Sequence, residues 1–235
     1  MASVLYLLLY LVAGVMIVRC LLPGKRVLVR VYLGLCLGLA LLMWLPALAA
    51  FVVSFSVAGH LWAALGLLVL CFAAYWFRDQ SPARRWEKED ATLTRMLLLV
   101  ALPLTALGTY LLCTHVIEPQ ADGSLNVGQS TYGDLNLHLS IVTSLRNAKF
   151  PADYAIFPGE RLAYPFLTDS LSTTMMLFGL PLRAAVILPS VVMLALVFSG
   201  YMVFALRAAD GKRAAVLAAL LFFFNESCIN VLQRE

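Results

Sequence analysis

The stretch over residues 31–77 is VYLGLCLGLALLMWLPALAAFVVSFSVAGHLWAALGLLVLCFAAYWF, and it contains no Asp, Glu, Lys or Arg. A helix of about 20 apolar residues is long enough to cross the hydrocarbon core of a bilayer. The stretch therefore predicts two membrane-spanning helices, over 31–55 and 57–77. The short break near Ser56, Gly59 and His60 predicts a tight hairpin between them, and a membrane helix tolerates the internal Pro46.

Four further apolar runs lie on either side of this pair, over residues 2–22, 96–117, 182–206 and 214–230. The first run lacks the basic start and the cleavage site of a signal peptide, so we expect it to be retained. The whole chain is 62% hydrophobic and 13% charged, whereas soluble domains carry about 25% charged residues. We therefore predict an all-α polytopic membrane protein with about six transmembrane helices and a long outer loop that contains one or two interfacial helices.

Lys and Arg residues are concentrated in the short loops that follow the first, third and fifth apolar runs, and such loops normally face the cytoplasm. The N-terminus and the loop 118–180 are then non-cytoplasmic. The loop at 78–95 is expected to be a solvated connection that separates region 1–95 from region 96–235. The net charge of +4 is explained by these loops, so no nucleic-acid partner is expected. The basic residues are Lys25, Arg26, Arg30, Arg78, Arg84, Arg85, Lys88, Arg95, Arg207, Lys212 and Arg213.

The five cysteines all fall inside or at the ends of apolar runs, without the spacing of metal ligands. We expect them to be reduced thiols that act as small apolar side chains. They are Cys20, Cys36, Cys71, Cys113 and Cys228.

The loop 118–180 contains most of the polar chemistry of the chain, and a loop of this length is usually functional or disordered. Its content of Tyr, Phe, Leu and Pro argues against disorder. In TYGDLNLHLSIVTSLR (131–146), apolar residues recur at 135, 139, 142 and 145, which predicts an amphipathic helix lying along the outer interface. Asp134 is in its first turn, either as a helix cap or as a functional carboxylate. His138 follows one turn later, so both could face the same space.

A second dense patch, FPADYAIFPGERLAYPFLTD (150–169), contains three prolines that prevent a long helix and hold the chain in turns. Ordered turns with aromatic and charged side chains at a membrane surface suggest a shaped pocket. Arg161 offers a planar fork of donors for a phosphate or an acceptor sugar. The alternative is that Glu160, Arg161 and Asp169 form surface ion pairs of little energetic weight, and that His138 is satisfied by backbone or water.

The succession GDLNLHLSIV, FPADYAIFPGERLAYPFLTDSLS and a short span resembles the first large outer loop of the GT-C superfamily, over roughly residues 125–200. These membrane glycosyltransferases take sugar from polyprenyl-phosphate carriers, and the pattern is especially similar to a bacterial branch of them. The resemblance implies an inverting transfer at the outer face of a bacterial inner membrane, with Asp134 as the catalytic base. His138, Tyr164 and Asp169 match motif positions without an assigned role. The candidate substrate-binding residues are His138, Glu160, Arg161, Tyr164 and Asp169.

The resemblance implies no cofactor, and a divalent metal, although possible, has no support in the sequence. A zinc site needs about three protein ligands, and His115 is the only other histidine near this segment. Members of the superfamily have more helices, some of which help to hold the donor. The polar ending NESCINVLQRE is therefore expected to mark a truncated product that lacks part of the active site.

The competing class is a non-enzymatic membrane protein, either a transporter fragment or an assembly subunit. Transporters keep ionisable groups near the middle of the bilayer. Such groups are rare inside the apolar runs of this chain, which favours chemistry at the surface.

Overall fold

A computed structural model describes residues 1–128, 132–157, 159–209 and 211–232, without the side chains of 89, 132 and 225–232. Its described residues are mainly helical, which confirms the predicted all-α class. They also include a pair of short antiparallel strands, β1 (Ile117–Pro119) and β2 (Leu125–Val127). The helices are α1 (Ala2–Leu21), α2 (Val27–Ala50), α3 (Val57–Trp76), α4 (Lys88–Met96), α5 (Leu102–Leu111), α6 (Tyr132–Ser144), α7 (Leu167–Leu177), α8 (Leu182–Ala208) and α9 (Lys212–Leu232).

Five helical stretches among the described residues are long and apolar enough to cross a membrane, so the chain is a multi-pass membrane protein. Four of them are α1, α2, α3 and α8. The fifth is Asp90–Val116, where the π-helical turns Leu97–Ala101 and Leu112–Val116 continue the helical path before and after α5. The sixth predicted span falls in α9, much of which has no described side chains.

The segment before the fourth span is helical from Lys88, whereas a solvated loop was predicted as far as Arg95. The reason is a reciprocal cap at the helix start. The side chain of Glu87 accepts from the backbone of Asp90, and the side chain of Asp90 accepts from the backbone of Glu87. This capping box satisfies two N–H groups that would otherwise have no partner at the helix end.

Helices α1 and α2 pack closely because glycines on both helices leave room for backbone contact. A Cβ atom added to Gly14 would collide with the backbone of Gly34 and Gly38, and one added to Gly38 would collide with the backbone of Tyr10. Small residues at such crossings are typical of membrane helices, whose association depends on close packing. The four described cysteines, Cys20, Cys36, Cys71 and Cys113, are free and partly buried, as predicted.

The chain forms two compact units, each of which is discontinuous in sequence. The first comprises Met1–Arg85 and Thr109–Ser190, and the second comprises Trp86–Gly108 and Val191–Glu235. The division of the chain near residue 95 stays a prediction. The second unit has its own apolar core, formed by Val100, Ala101, Leu104, Phe198, Met202, Ala205, Ala215 and Ala219.

Within the first unit, the loop 118–180 folds onto the end of the three-helix bundle where α1 begins and where α2 turns into α3. The backbone N–H of Phe55 donates to Ala148 over 2.7 Å, and the N–H of Phe150 donates to Ala50 over 3.0 Å. The hydroxyl of Ser3 donates to the carbonyl of Phe178 over 2.7 Å. This end of the bundle therefore brings together segments that are distant in sequence.

The first two basic loops meet at the opposite end of the same bundle. The N–H of Arg84 donates to Pro23 over 3.0 Å. The guanidinium of Arg30, which is buried near the start of α2, donates to the carbonyl of Arg84 over 2.9 Å. The predicted topology requires this separation of the basic loops from the loop 118–180. Which end faces the cytoplasm stays a prediction.

Candidate functional site

Helix α6 presents Asp134 at the surface, in its first turn. The helix begins at Tyr132, two residues earlier, so Asp134 is not the cap residue that the alternative interpretation assumed. Its carboxylate is exposed and lies where the helix dipole favours a negative charge.

The apolar side of α6 packs against protein, and the position of this helix along the outer interface of the membrane stays a prediction. Ile141, Val142 and Leu145 are buried, with exposures of 0–2%. Ile141 and Leu145 share a core with Ala47, Phe55 and other side chains from the end of the bundle. This packing fixes the position of the helix on the first unit.

His138 and Asp169 form the central contact of the site. Nδ1 of His138 lies 3.0 Å from each carboxylate oxygen of Asp169, which joins α6 to α7. The side chain of His138 is 34% exposed, whereas that of Asp169 is 9% exposed. A side chain, rather than the backbone, therefore satisfies Nδ1 of His138, and the expectation that Asp169 belongs to a surface ion pair is wrong. Nε2 of His138 has no hydrogen-bond partner among the described residues.

Asp169 is buried because α7 is enclosed by other helices of the first unit. Every residue from Asp169 to Met175 is buried, and α7 packs against α1, α2 and α6. The hydroxyl of Thr173 donates to the carbonyl of Val142 over 2.7 Å and so ties α7 to α6. Burial raises the pKa of Asp169, and the hydrogen bond from His138 partly opposes that shift.

Tyr164 completes the surroundings of His138. Its ring meets the imidazole edge-on, with 5.7 Å between the two ring centroids, and it is 39% exposed. The structure thus brings together three of the predicted site residues, His138, Tyr164 and Asp169, and places Asp134 on the same helix one turn before His138.

Glu160 and Arg161 belong to a separate part of the site, a hairpin-like loop over residues 152–162. The N–H of Tyr154 donates to Glu160 over 2.8 Å, and the N–H of Leu162 donates to Ala152 over 2.9 Å. Glu160 is exposed in this loop. The predicted surface ion pair exists for Arg161, but its partner is Asp153 at 2.8 Å, and both side chains are about 70% exposed.

A cavity of about 480 Å³ opens beside this loop, within the patch where the sequence suggested a pocket. Its polar lining is Ser144, Lys149, Asp153, Tyr154 and Arg161, and the remaining lining residues are Ala and Gly. Two cations, one carboxylate and one aromatic ring suit a polar ligand with some negative charge. The cavity shares α6 with His138, because Ser144 lies near the end of that helix.

The sequence did not predict the polar cluster beneath this site. His60 is fully buried at the start of α3, where its Nδ1 lies 2.7 Å from the carbonyl of Ser56 and its Nε2 lies 2.9 Å from the hydroxyl of Thr174. The hydroxyl of Tyr6 donates to the carbonyl of His60 over 2.9 Å. One sequence feature could have indicated this cluster, the polar run SLSTT at 170–174 in α7. Buried Ser and Thr side chains need hydrogen-bond partners, so this run predicts polar groups inside the apolar bundle.

The described part of the chain contains no group of three or more His, Cys, Asp or Glu side chains that could hold a metal ion. Neither a protein-family model, nor a curated protein, nor a solved structure matches this chain. The fold defines it as a multi-pass all-α membrane protein with polar side chains gathered at one end of a helical bundle.

Proposed function

We propose that this chain acts as a membrane glycosyltransferase that moves a sugar from a polyprenyl-phosphate donor to an acceptor at the outer face of the membrane. The observation that carries the proposal is the group of acid–base side chains on α6 and α7. An exposed carboxylate, Asp134, lies one helical turn from the His138–Asp169 pair, at the end of an apolar bundle. A donor with a lipid tail and a polar head needs this combination of a membrane helix bundle and a surface site.

In the proposed reaction, the acceptor hydroxyl attacks the anomeric carbon of the donor sugar while the bond from that carbon to the phosphate oxygen breaks. A sugar hydroxyl is a weak nucleophile, so a nearby carboxylate must take its proton as the new bond forms. Asp134 is the base in this proposal because it is exposed and matches the acidic position of the GT-C outer loop. The single displacement inverts the anomeric centre.

The cavity beside the 152–162 loop is the proposed place for the polar part of a substrate. Its volume of about 480 Å³ exceeds what one sugar ring needs, and Arg161 and Lys149 supply donors for hydroxyl or phosphate oxygens. Glu160 and Tyr164 belong to the same patch, 150–169, and we assign them additional contacts to the substrate. The proposed setting is a bacterial inner membrane, with the loop 118–180 outside the cytoplasm.

The test is an Asp134→Asn substitution in the full-length gene product, assayed for sugar transfer from polyprenyl-phosphate donors in membranes. Asn keeps the shape of the side chain but cannot take a proton, so we expect a loss of about a hundredfold to ten-thousandfold in rate. Asp122→Asn is the matched control. Asp122 is another exposed aspartate of the loop 118–180, and hydrogen bonds from Ser124 hold its pKa below the usual range.

We expect Asp122→Asn to transfer sugar at the wild-type rate. Equal rates for Asp134→Asn and wild type would remove Asp134 from the mechanism. No transfer by the wild-type protein from any polyprenyl-phosphate donor would favour the non-enzymatic class, an assembly subunit or transporter component.

A further inference from the structure

The pair of His138 and Asp169 has the arrangement of an oriented acid–base histidine. Asp169 is nearly buried and accepts from Nδ1, which fixes the ring, while the side chain of His138 stays 34% exposed. A carboxylate in this position also stabilises the imidazolium form. A purely structural link between α6 and α7 would not require a titratable ring, since an amide could donate the same hydrogen bond.

The groups that face His138 come from each neighbouring element. From α7 the titratable group is Asp169, and from the turn before α7 it is the phenol of Tyr164. Asp134 lies one turn earlier on α6 itself. α6 also contacts β2 and the end of the bundle at residues 47–55, and neither of these stretches carries a titratable side chain. A protonated His138 therefore has one buried carboxylate, that of Asp169, as its counter-ion.

We infer that His138, held by Asp169, is the general acid that protonates the departing lipid phosphate in the sugar transfer. This inference rests on the proposed function and adds a role that Asp134 cannot fill. When the anomeric C–O bond breaks, its electron pair goes to the phosphate oxygen, and the donor phosphodiester becomes a phosphate monoester. The acceptor proton goes to Asp134, and the proton on Nε2 of His138 goes to the leaving oxygen. Exchange with water returns both groups to their starting state.

A general acid must bring its proton within hydrogen-bond reach of the atom that receives it. Nδ1 of His138 is engaged with Asp169, so Nε2 is the ring atom that can give a proton to the leaving phosphate oxygen. Asp169 is a positioning residue, since it acts on the reaction only through the ring of His138.

The test is the pH dependence of kcat in the full-length protein for wild type, His138→Asn and Asp169→Asn. Asn at 138 can still donate to Asp169 from about the position of Nδ1, but it has no titratable Nε2. We expect the wild-type rate to fall on the alkaline side as His138 loses its proton. We expect His138→Asn to be about a hundredfold slower at neutral pH and to lack that alkaline limb. Asp169→Asn should retain the limb at lower pH, because the imidazolium has lost its counter-ion.

His115→Asn is the matched control, because His115 is exposed and, among the described residues, its side chain contacts only the neighbouring hydroxyl of Thr114 and the ring of Tyr110. It should keep the wild-type rate and profile. Wild-type kcat and pH profile in His138→Asn would overturn the inference, and so would a wild-type profile without an alkaline limb.

Binding of the product lipid separates this inference from the proposed function. Polyprenyl phosphate should bind to wild type and to Asp134→Asn in lipid nanodiscs with equal affinity, and about tenfold more weakly to His138→Asn, the effect of one lost charge-assisted contact. If wild type binds the lipid in this His138-dependent way but transfers no sugar, the proposed function fails and the phosphate contact is supported. If wild type transfers sugar and His138→Asn matches it in rate and binding, the inference alone fails.

Discussion

At the scale of single residues, His60 shows how polar groups can stabilise an apolar bundle. Its ring is fully buried among Tyr6, Phe55 and Phe178, and both ring nitrogens lie within hydrogen-bond distance of a polar group. Nδ1 donates to the carbonyl of Ser56, and Nε2 lies 2.9 Å from the hydroxyl of Thr174, which also contacts the carbonyl of Ser170. The residue thus connects the α2–α3 turn to the enclosed helix α7.

We predict that His60→Ala lowers the free energy of unfolding by about 2–4 kcal/mol, because it removes a fully buried ring and leaves a cavity. The measurement is thermal unfolding of the purified protein in detergent. Thr174→Val is the matched control, since it keeps the ring and removes only the hydroxyl that contacts Nε2 of His60 and the carbonyl of Ser170. Its cost should be about 1 kcal/mol or less, as for other hydrogen bonds between membrane helices. An unchanged midpoint for His60→Ala would contradict the packing described for this residue.

At the scale of elements, the contact between α1 and α2 depends on where glycine occurs rather than on how many glycines there are. Gly14 in α1 faces the backbone of α2. A Cβ atom added to Gly66 in α3 would instead meet no atom within 4 Å outside its own helix backbone. The same substitution should therefore have opposite effects at the two positions.

We predict that Gly14→Ala destabilises the protein by at least 1–3 kcal/mol, roughly the cost of overpacking a close contact. Gly66→Ala should be neutral or stabilising by about 0.5–1 kcal/mol, because alanine favours the helix over glycine. Unfolding midpoints in the same detergent check both values. Equal effects at the two positions would show that α1 and α2 do not approach as closely as described.

The sequence predicted the helices correctly where the length of an apolar run is enough to determine their bounds. The spans over 2–22 and 57–77 agree with α1 and α3 to within one residue. The start of α4 was missed because the capping pair Glu87 and Asp90 lies in a charge-rich stretch that resembles a loop. The burial of α7 was missed because its Ser and Thr residues suggest an exposed helix when its neighbours are unknown.

At the scale of the whole molecule, the ends of the first unit have different chemistry. One end holds the His138–Asp169 pair and the cavity near Arg161, and the other holds the basic residues from Lys25 to Arg30 and from Arg78 to Arg85. Single residues of the candidate site could be named from the sequence, since motif positions identify them. Their pairing could not, because His138 and Asp169 are 31 residues apart and meet only through the packing of α6 on α7.

The sidedness of these ends is testable in intact cells by cysteine labelling with a membrane-impermeant maleimide. Asn126→Cys, in β2, should react, whereas Ser81→Cys, in the 78–85 segment, should react only after the cells are permeabilised. Both positions are exposed, so reactivity reports the side of the membrane rather than burial. Labelling of Ser81→Cys but not Asn126→Cys in intact cells would reverse the proposed orientation.

The enclosure of α7 also has a consequence for biosynthesis. The ribosome completes α1, α2 and α3 long before it reaches residues 167–177, so these helices enter the membrane while the space for α7 is still empty. During that interval the hydroxyl of Ser3 and Nε2 of His60 lack the groups that they contact in the finished protein, Phe178 and Thr174. Water or the insertion machinery must solvate them until the polar helix is translated and docks. Assembly of the first unit therefore ends with a late step, and the pair of His138 and Asp169 forms only when that step is complete.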